Sequence, residues 1–243
     1  MPRTPLLHPG EYFAERPPED DLLRAAAVVL LVALATTAAA AVVGLTFAER
    51  LDFMVTVDNP AHTPEHMCDA FATSEMSTPS GCGEDVPETT QVNFGQKVWE
   101  EFRGFLPLVF VVTVVAWVGA AVLAHAATAF ADGASGSFAG TLAVSGWAAG
   151  PNLLQVALGT GFVYLRLQSL TVPSDPAAAV AKLETLATFG SGLPMVAVLL
   201  VVTAWKAVVW SVGLRRARDI SADASWTIAG VAAALAFLGG LAN

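Results

Sequence analysis

Five stretches of the chain, residues 25–48, 104–131, 133–165, 185–205 and 224–243, contain no Asp, Glu, Lys or Arg. Each reaches the roughly 20 apolar residues that a helix needs to cross a bilayer. The pattern predicts an all-α, polytopic bundle of five membrane spans, at about 25–48, 105–131, 138–165, 191–213 and 224–242. Helices fill such runs because lipid offers no partner to an unpaired backbone N–H or C=O. Only one connection, 49–103, is long enough for a small folded unit, so residues 1–243 read as one membrane domain with an insertion at 49–103.

The third run is too long for one straight helix and contains Pro151. Proline lacks a backbone N–H and clashes with the carbonyl four residues earlier. A kink or break is therefore predicted near Gly150, with Asn152 and Gln155 placed to satisfy the freed carbonyls. That arrangement reads as helix packing rather than as a ligand site.

Charge sets the orientation. Arg3, Arg16 and Arg24 precede the first run, and Arg215, Arg216 and Arg218 form a tight cluster after the fourth. Lys and Arg are retained on the cytoplasmic side. The cluster therefore acts as a topology anchor, the N-terminus is inside and the C-terminus outside, and 49–103 and 166–190 face the extracytoplasmic side. Trp99, Trp210 and Trp226 fall near predicted interfaces, where an indole prefers to lie; Trp117, Trp147 and Trp205 do not. The first run continues well past the 7–15 apolar residues of a signal peptide, so it is read as a retained span.

Composition narrows the function. The 243 residues are 55% hydrophobic and 14% charged, against about a quarter charged in soluble domains, which excludes a soluble catalytic core. A net charge of -9 excludes nucleic acid as a partner, since phosphate neutralisation needs surplus cations. Acidic connections beside Ala-rich spans suit a surface solvated at high salt, where electrostatics is screened within about 3 Å at 1 M, and so point to a halophilic host.

Three groups of residues carry a family resemblance. Leu6, Leu7, Pro9, Tyr12 and Phe13 match an LL-x-P-x-x-F-F entry before the first span. Gly146, Trp147 and Pro151 stand at the spacing of a Gly-Tyr followed four residues later by Pro, preceded by Gly136, Ser137 and Phe138. Trp210 to Ser221, WSVGLRRARDIS, precedes the last span. In this order the chain resembles a prokaryotic member of the Yip (Ypt/Rab-interacting) family over most of its length. Two departures are the Trp at 147 in place of Tyr and a long first connection. The resemblance implies a fold and a broad class, and the eukaryotic role of binding prenylated small GTPases maps onto no matched residue.

Candidate chemistry is sparse. His62, His66, Cys68 and Cys82 supply zinc-type donors, but the spacing matches no zinc signature. Two cysteines in an oxidising compartment are more simply a disulfide, a loop of this size gaining about 3 kcal/mol. His125 is an ionisable group inside a span, and all 21 acids lie outside the apolar runs, so a neutral imidazole bonded to a backbone carbonyl is expected. Lys206 is expected to snorkel partway to the inner end of its span. Glu100, Glu101 and Arg103 have the wrong spacing for an intramembrane protease of the E-E-x-x-x-R type, and no phosphate-binding glycine loop occurs. These features indicate no cofactor and no enzyme. They favour a scaffold, adaptor or bilayer organiser whose partners are lipid and other membrane proteins or further copies of itself. A small permease or channel for an uncharged solute is the alternative.

Overall fold

The computed structural model describes residues 4–72, 80–82, 86–169 and 192–241. Most of the 166–190 connection, with Lys182, and position 191 of the fourth predicted span lie outside them. In chain order the helices are α1 (Pro9–Glu15), α2 (Leu22–Arg50), α3 (Glu65–Ala72), α4 (Phe94–Arg103), α5 (Leu106–Thr128), α6 (Phe138–Ala148), α7 (Asn152–Gln168), α8 (Leu193–Arg218) and α9 (Ala222–Leu241). Two strands, β1 (Met54–Asp58) and β2 (Thr89–Asn93), pair antiparallel with Met54 opposite Asn93 and Asp58 opposite Thr89.

Local chemistry sets these boundaries. Pro9, Pro107 and Pro194 sit at the first or second positions of α1, α5 and α8, where no intrahelical N–H is required. Asn93 and Ser137 cap α4 and α6, their side-chain oxygens accepting from the Gln96 and Gly140 amides at 2.9 and 3.2 Å. α8 stops at Asp219, whose φ of 52° is left-handed, and the backbone then turns directly into α9.

Among the described residues, four helical stretches are long and apolar enough to cross a membrane, Pro18–Arg50, Phe94–Thr128, Leu193–Arg218 and Ala222–Leu241. They overlap the first, second, fourth and fifth apolar runs, the fourth from Leu193 onward. Leu31, Leu123, Val201 and Leu235 are among their exposed outward side chains, a surface suited to lipid and unsuited to water.

The third run forms two helices. α6 has 11 residues and α7 has 17, with Gly150 and a fully buried Pro151 between them. The carbonyls freed by the proline are not taken up by Asn152 and Gln155, contrary to the expectation from sequence. Instead the backbone tightens. The amides of Ala149, Gly150, Asn152 and Leu153 bond to the carbonyls three residues earlier at 3.0–3.2 Å, so the chain satisfies itself through a 3-10 passage and both side chains are left for other use.

The insertion is tied to the end of α2. Phe53 and Phe94 stack at 5.3 Å, the Gly95 amide donates to the Leu51 carbonyl at 3.1 Å, and Trp99 and Phe102 of α4 lie together, with Phe102 against Gly44. Cys68 and Cys82 are joined as a disulfide, and the His62 Nδ1 lies 3.0 Å from the Val86 carbonyl. Sulfurs bonded to each other cannot serve as thiolate ligands, and among the described residues no group of three or more His, Cys, Asp or Glu gathers around a metal position.

The opposite end of the bundle is closed by the N-terminal segment. α1 lies along α8, and Tyr12 and Phe13 are buried with Ala124, Val144, Leu214 and Ala217. Asp21 is 2% exposed. Its Oδ2 accepts from the Tyr12 hydroxyl and the Trp147 indole, each at 2.6 Å, and its Oδ1 from Arg24 at 3.0 Å. Burial, then the bond to Asp21, holds the Tyr12 phenol above its ordinary pKa, so it remains a donor.

Asp21→Asn replaces an acceptor facing two donors and is expected to cost about 3 kcal/mol, lowering the melting temperature in detergent by about 6–12 °C. Trp147→Phe should show a smaller loss, and the double variant should fall short of their sum, because both remove the same bond. The disulfide makes a separable prediction. Cys68→Ser with Cys82→Ser should speed proteolysis between residues 59 and 88 and leave the melting of the helical bundle unchanged.

Candidate functional site

The three motif groups meet at the end of the bundle closed by α1. Leu6 packs over Gly150 at the helix break, its carbonyl accepts from the Trp205 indole at 2.7 Å, and Tyr12 contacts Trp147 edge to face at 5.9 Å. Gly146 provides room for this junction. A Cβ there would lie 3.0 Å from both the Cβ and the carbonyl oxygen of Ala25, so α6 and α2 approach as closely as backbones allow.

The basic cluster divides. Arg215 and Arg216 are exposed, as an anchor requires, but Arg218 is buried at 6% exposure. Its Nε donates to Thr128 at 3.0 Å and its Nη1 to the Gly136 carbonyl at 2.5 Å. It therefore clamps the turn between α5 and α6 instead of facing lipid headgroups. Gly136, at φ 83°, sits against the Ala217 carbonyl, and a side chain there would open the clamp. His125 joins the same region: its Nδ1 lies 3.1 Å from the Thr141 hydroxyl, so its partner is a side chain of α6 and not the expected backbone carbonyl.

The three tryptophans away from the interfaces are explained in the same way. Trp117 donates to the Leu142 carbonyl at 3.0 Å, Trp147 to Asp21 and Trp205 to Leu6. Each sets a half-buried indole between elements while giving its N–H an acceptor.

Between α2, α5, α6, α7, α8 and α9 lies a cavity of about 960 Å³, at the upper end of the range for small-molecule sites. It is largely apolar, with a polar group set into it: Ser145, Asn152, Gln155, Thr160, Thr203 and Lys206. Thr203 is bonded to the Leu199 carbonyl. The Ser145 hydroxyl is buried and has no hydrogen-bond partner. A second cavity of about 540 Å³ borders α5, α8 and α9, and Lys206 lines both.

Lys206 corrects the expectation from sequence. It stands midway along the 26-residue α8 and lines the interior cavities, so it does not snorkel to a helix end. A lysine at bilayer depth costs about 2.5–3.5 kcal/mol unless water or an anion meets it, and no carboxylate lines either cavity among the described residues. The lining thus holds one amine, two amides and several hydroxyls without an acid to complete a general acid–base pair. Such a set can bind and orient a polar or anionic group.

A family model for the Yip1 domain matches residues 4–243. The chain belongs to the Yip1 family. The match spans the N-terminal segment, the insertion and all the long helices, so the Yip1 domain here is the whole described bundle. No curated protein and no solved structure matches the chain. Of the features above, Asp21, the structural role of Arg218 and the inward Lys206 escaped the sequence reading. The one signal for the first was Trp147, an indole placed where no interface was expected.

Proposed function

We propose that this Yip1 family protein is a non-enzymatic, multi-pass scaffold or organiser of the cell membrane, with five crossings, the N-terminus inside and the C-terminus outside. α6 and α7 together make the third crossing, and Arg215 and Arg216 anchor the cytoplasmic end of the fourth. The insertion with its disulfide then stands in the extracytoplasmic space, and the acidic connections fit a high-salt habitat.

One observation carries the reading. The ionisable groups set between elements near the α1 end are already committed to holding them together: Asp21 joins α1, α2 and α6, Arg218 joins α8 to the turn after α5, and half-buried His125 joins α5 to α6. A rigid bundle with an apolar exterior suits contacts with lipid and with other membrane proteins, including further copies of itself, and these are its proposed partners. An ion or proton carrier needs embedded charges that exchange partners along a path, and fixed bonds of this kind oppose that.

Single-cysteine labelling tests the orientation. In a variant lacking Cys68 and Cys82, a membrane-impermeant maleimide should modify Gln91→Cys and spare Arg216→Cys in intact cells; the reverse pattern inverts the topology. Function is tested by reconstituting the protein in vesicles and screening ion, sugar and amino-acid flux. The expected result is no saturable flux, together with recovery of specific membrane proteins on purification from native membrane. Saturable flux that Asn152→Ala plus Gln155→Leu abolishes would replace the scaffold with a permease.

A further inference from the structure

We infer that the larger cavity is a binding site for one anionic membrane lipid, its headgroup held at Lys206 and its acyl chain lying in the apolar part of the cavity. The site needs only the folded bundle and would hold for a scaffold and a permease alike.

Three observations converge on it. Lys206 has no hydrogen-bond or ion-pair partner among the described residues, and a lone ammonium in an apolar surround calls for an anion. The same cavity is lined by donors that are also unengaged: the 3-10 passage at Pro151 has left the side-chain amides of Asn152 and Gln155 unbonded among the described residues. Phosphate and carboxylate groups have the several oxygen acceptors needed to meet an ammonium and amide N–H groups together.

The third observation is shape. From Lys206 the lining continues along α8 through Leu199 to Met195, 11 residues or about 16 Å at 1.5 Å per residue. On the facing helices this part is bordered by Val43, Val112 and Val163. A compact hydrophilic anion would leave that apolar length unfilled. A lipid fills both parts, with charge at one end and hydrocarbon along the rest.

The test uses the full chain in nanodiscs and native mass spectrometry after detergent release. In phosphatidylcholine discs doped with phosphatidylglycerol, the wild type should retain one phosphatidylglycerol per chain and discriminate against phosphatidylcholine at least tenfold. Lys206→Met should lose that discrimination, Lys206→Arg should keep it, and Arg215→Gln plus Arg216→Gln, on the exposed surface, should leave it within twofold.

Folding is controlled by melting curves. Lys206→Met removes an unpaired charge, so without anionic lipid it should melt at or above the wild type, while added phosphatidylglycerol should raise the melting temperature of the wild type alone. Inorganic phosphate separates a lipid from a free anion: at millimolar concentration it should neither displace the lipid nor stabilise the protein. Equal retention by Lys206→Met, equal retention of phosphatidylcholine by the wild type, or full displacement by phosphate would each overturn the site.

Discussion

The closed end of this bundle depends on one buried carboxylate. Asp21 ends the 3-10 turn that leads into α2, and its two oxygens collect a phenol from α1, an indole from α6 and a guanidinium one turn into α2. An acid removed from water is stable only when its lone pairs are met. Each of those donors therefore has to be present, and each belongs to a different part of the chain or a different turn. The N-terminal segment is placed by that requirement as much as by the burial of Tyr12 and Phe13, and α6, wrapped by this segment on one side and by α8 on another, is among the most enclosed helices of the protein.

Polar groups are distributed along the bundle according to the same principle. Toward the α1 end, Arg218, His125 and Trp117 each meet an acceptor or donor on a neighbouring element, so the helices cannot slide without breaking bonds that lipid would not replace. Beyond this end the cavity begins and the pattern reverses: Asn152, Gln155 and Lys206 line the same space with no partner among the described residues. The two regions meet at Gly150 and Pro151. The proline that divides the third apolar run also leaves two side-chain amides free of backbone duty, because 3-10 bonds close the gap without them.

Much of the architecture was legible as pattern. Runs free of charge predicted the long helices, Pro151 predicted the interruption, and the two cysteines predicted their bond, each because one local rule decides the outcome. The contacts that position the site were illegible for an equally physical reason. Asp21 stands beside Glu19 and Asp20 and carries the same local signal as those neighbours; only the return of Trp147, 126 positions later, distinguishes it. Arg218 was grouped with Arg215 and Arg216 because three arginines in four positions look alike along the chain, although helical spacing turns one of them inward. Lys206 was assigned to an interface because a lone cation in an apolar run is ordinarily relieved by reaching for one; a cavity beside it was not visible in one dimension.

The same carboxylate has a consequence for the order in which the protein is made. Asp21 leaves the ribosome with Tyr12 and Arg24, long before Trp147, and Leu214 and Ala217 of the surrounding cluster follow later still. During synthesis the first membrane helix must therefore be inserted with a hydrated, only half-partnered acid at its edge. The cluster that buries the N-terminal segment is complete only after α8 has arrived. Closure of the bundle is thus a late event in which an early segment waits for one made about 200 residues later, and a nascent protein arrested before α8 would display the apolar face of α1 to whatever chaperone or membrane surface lies nearby.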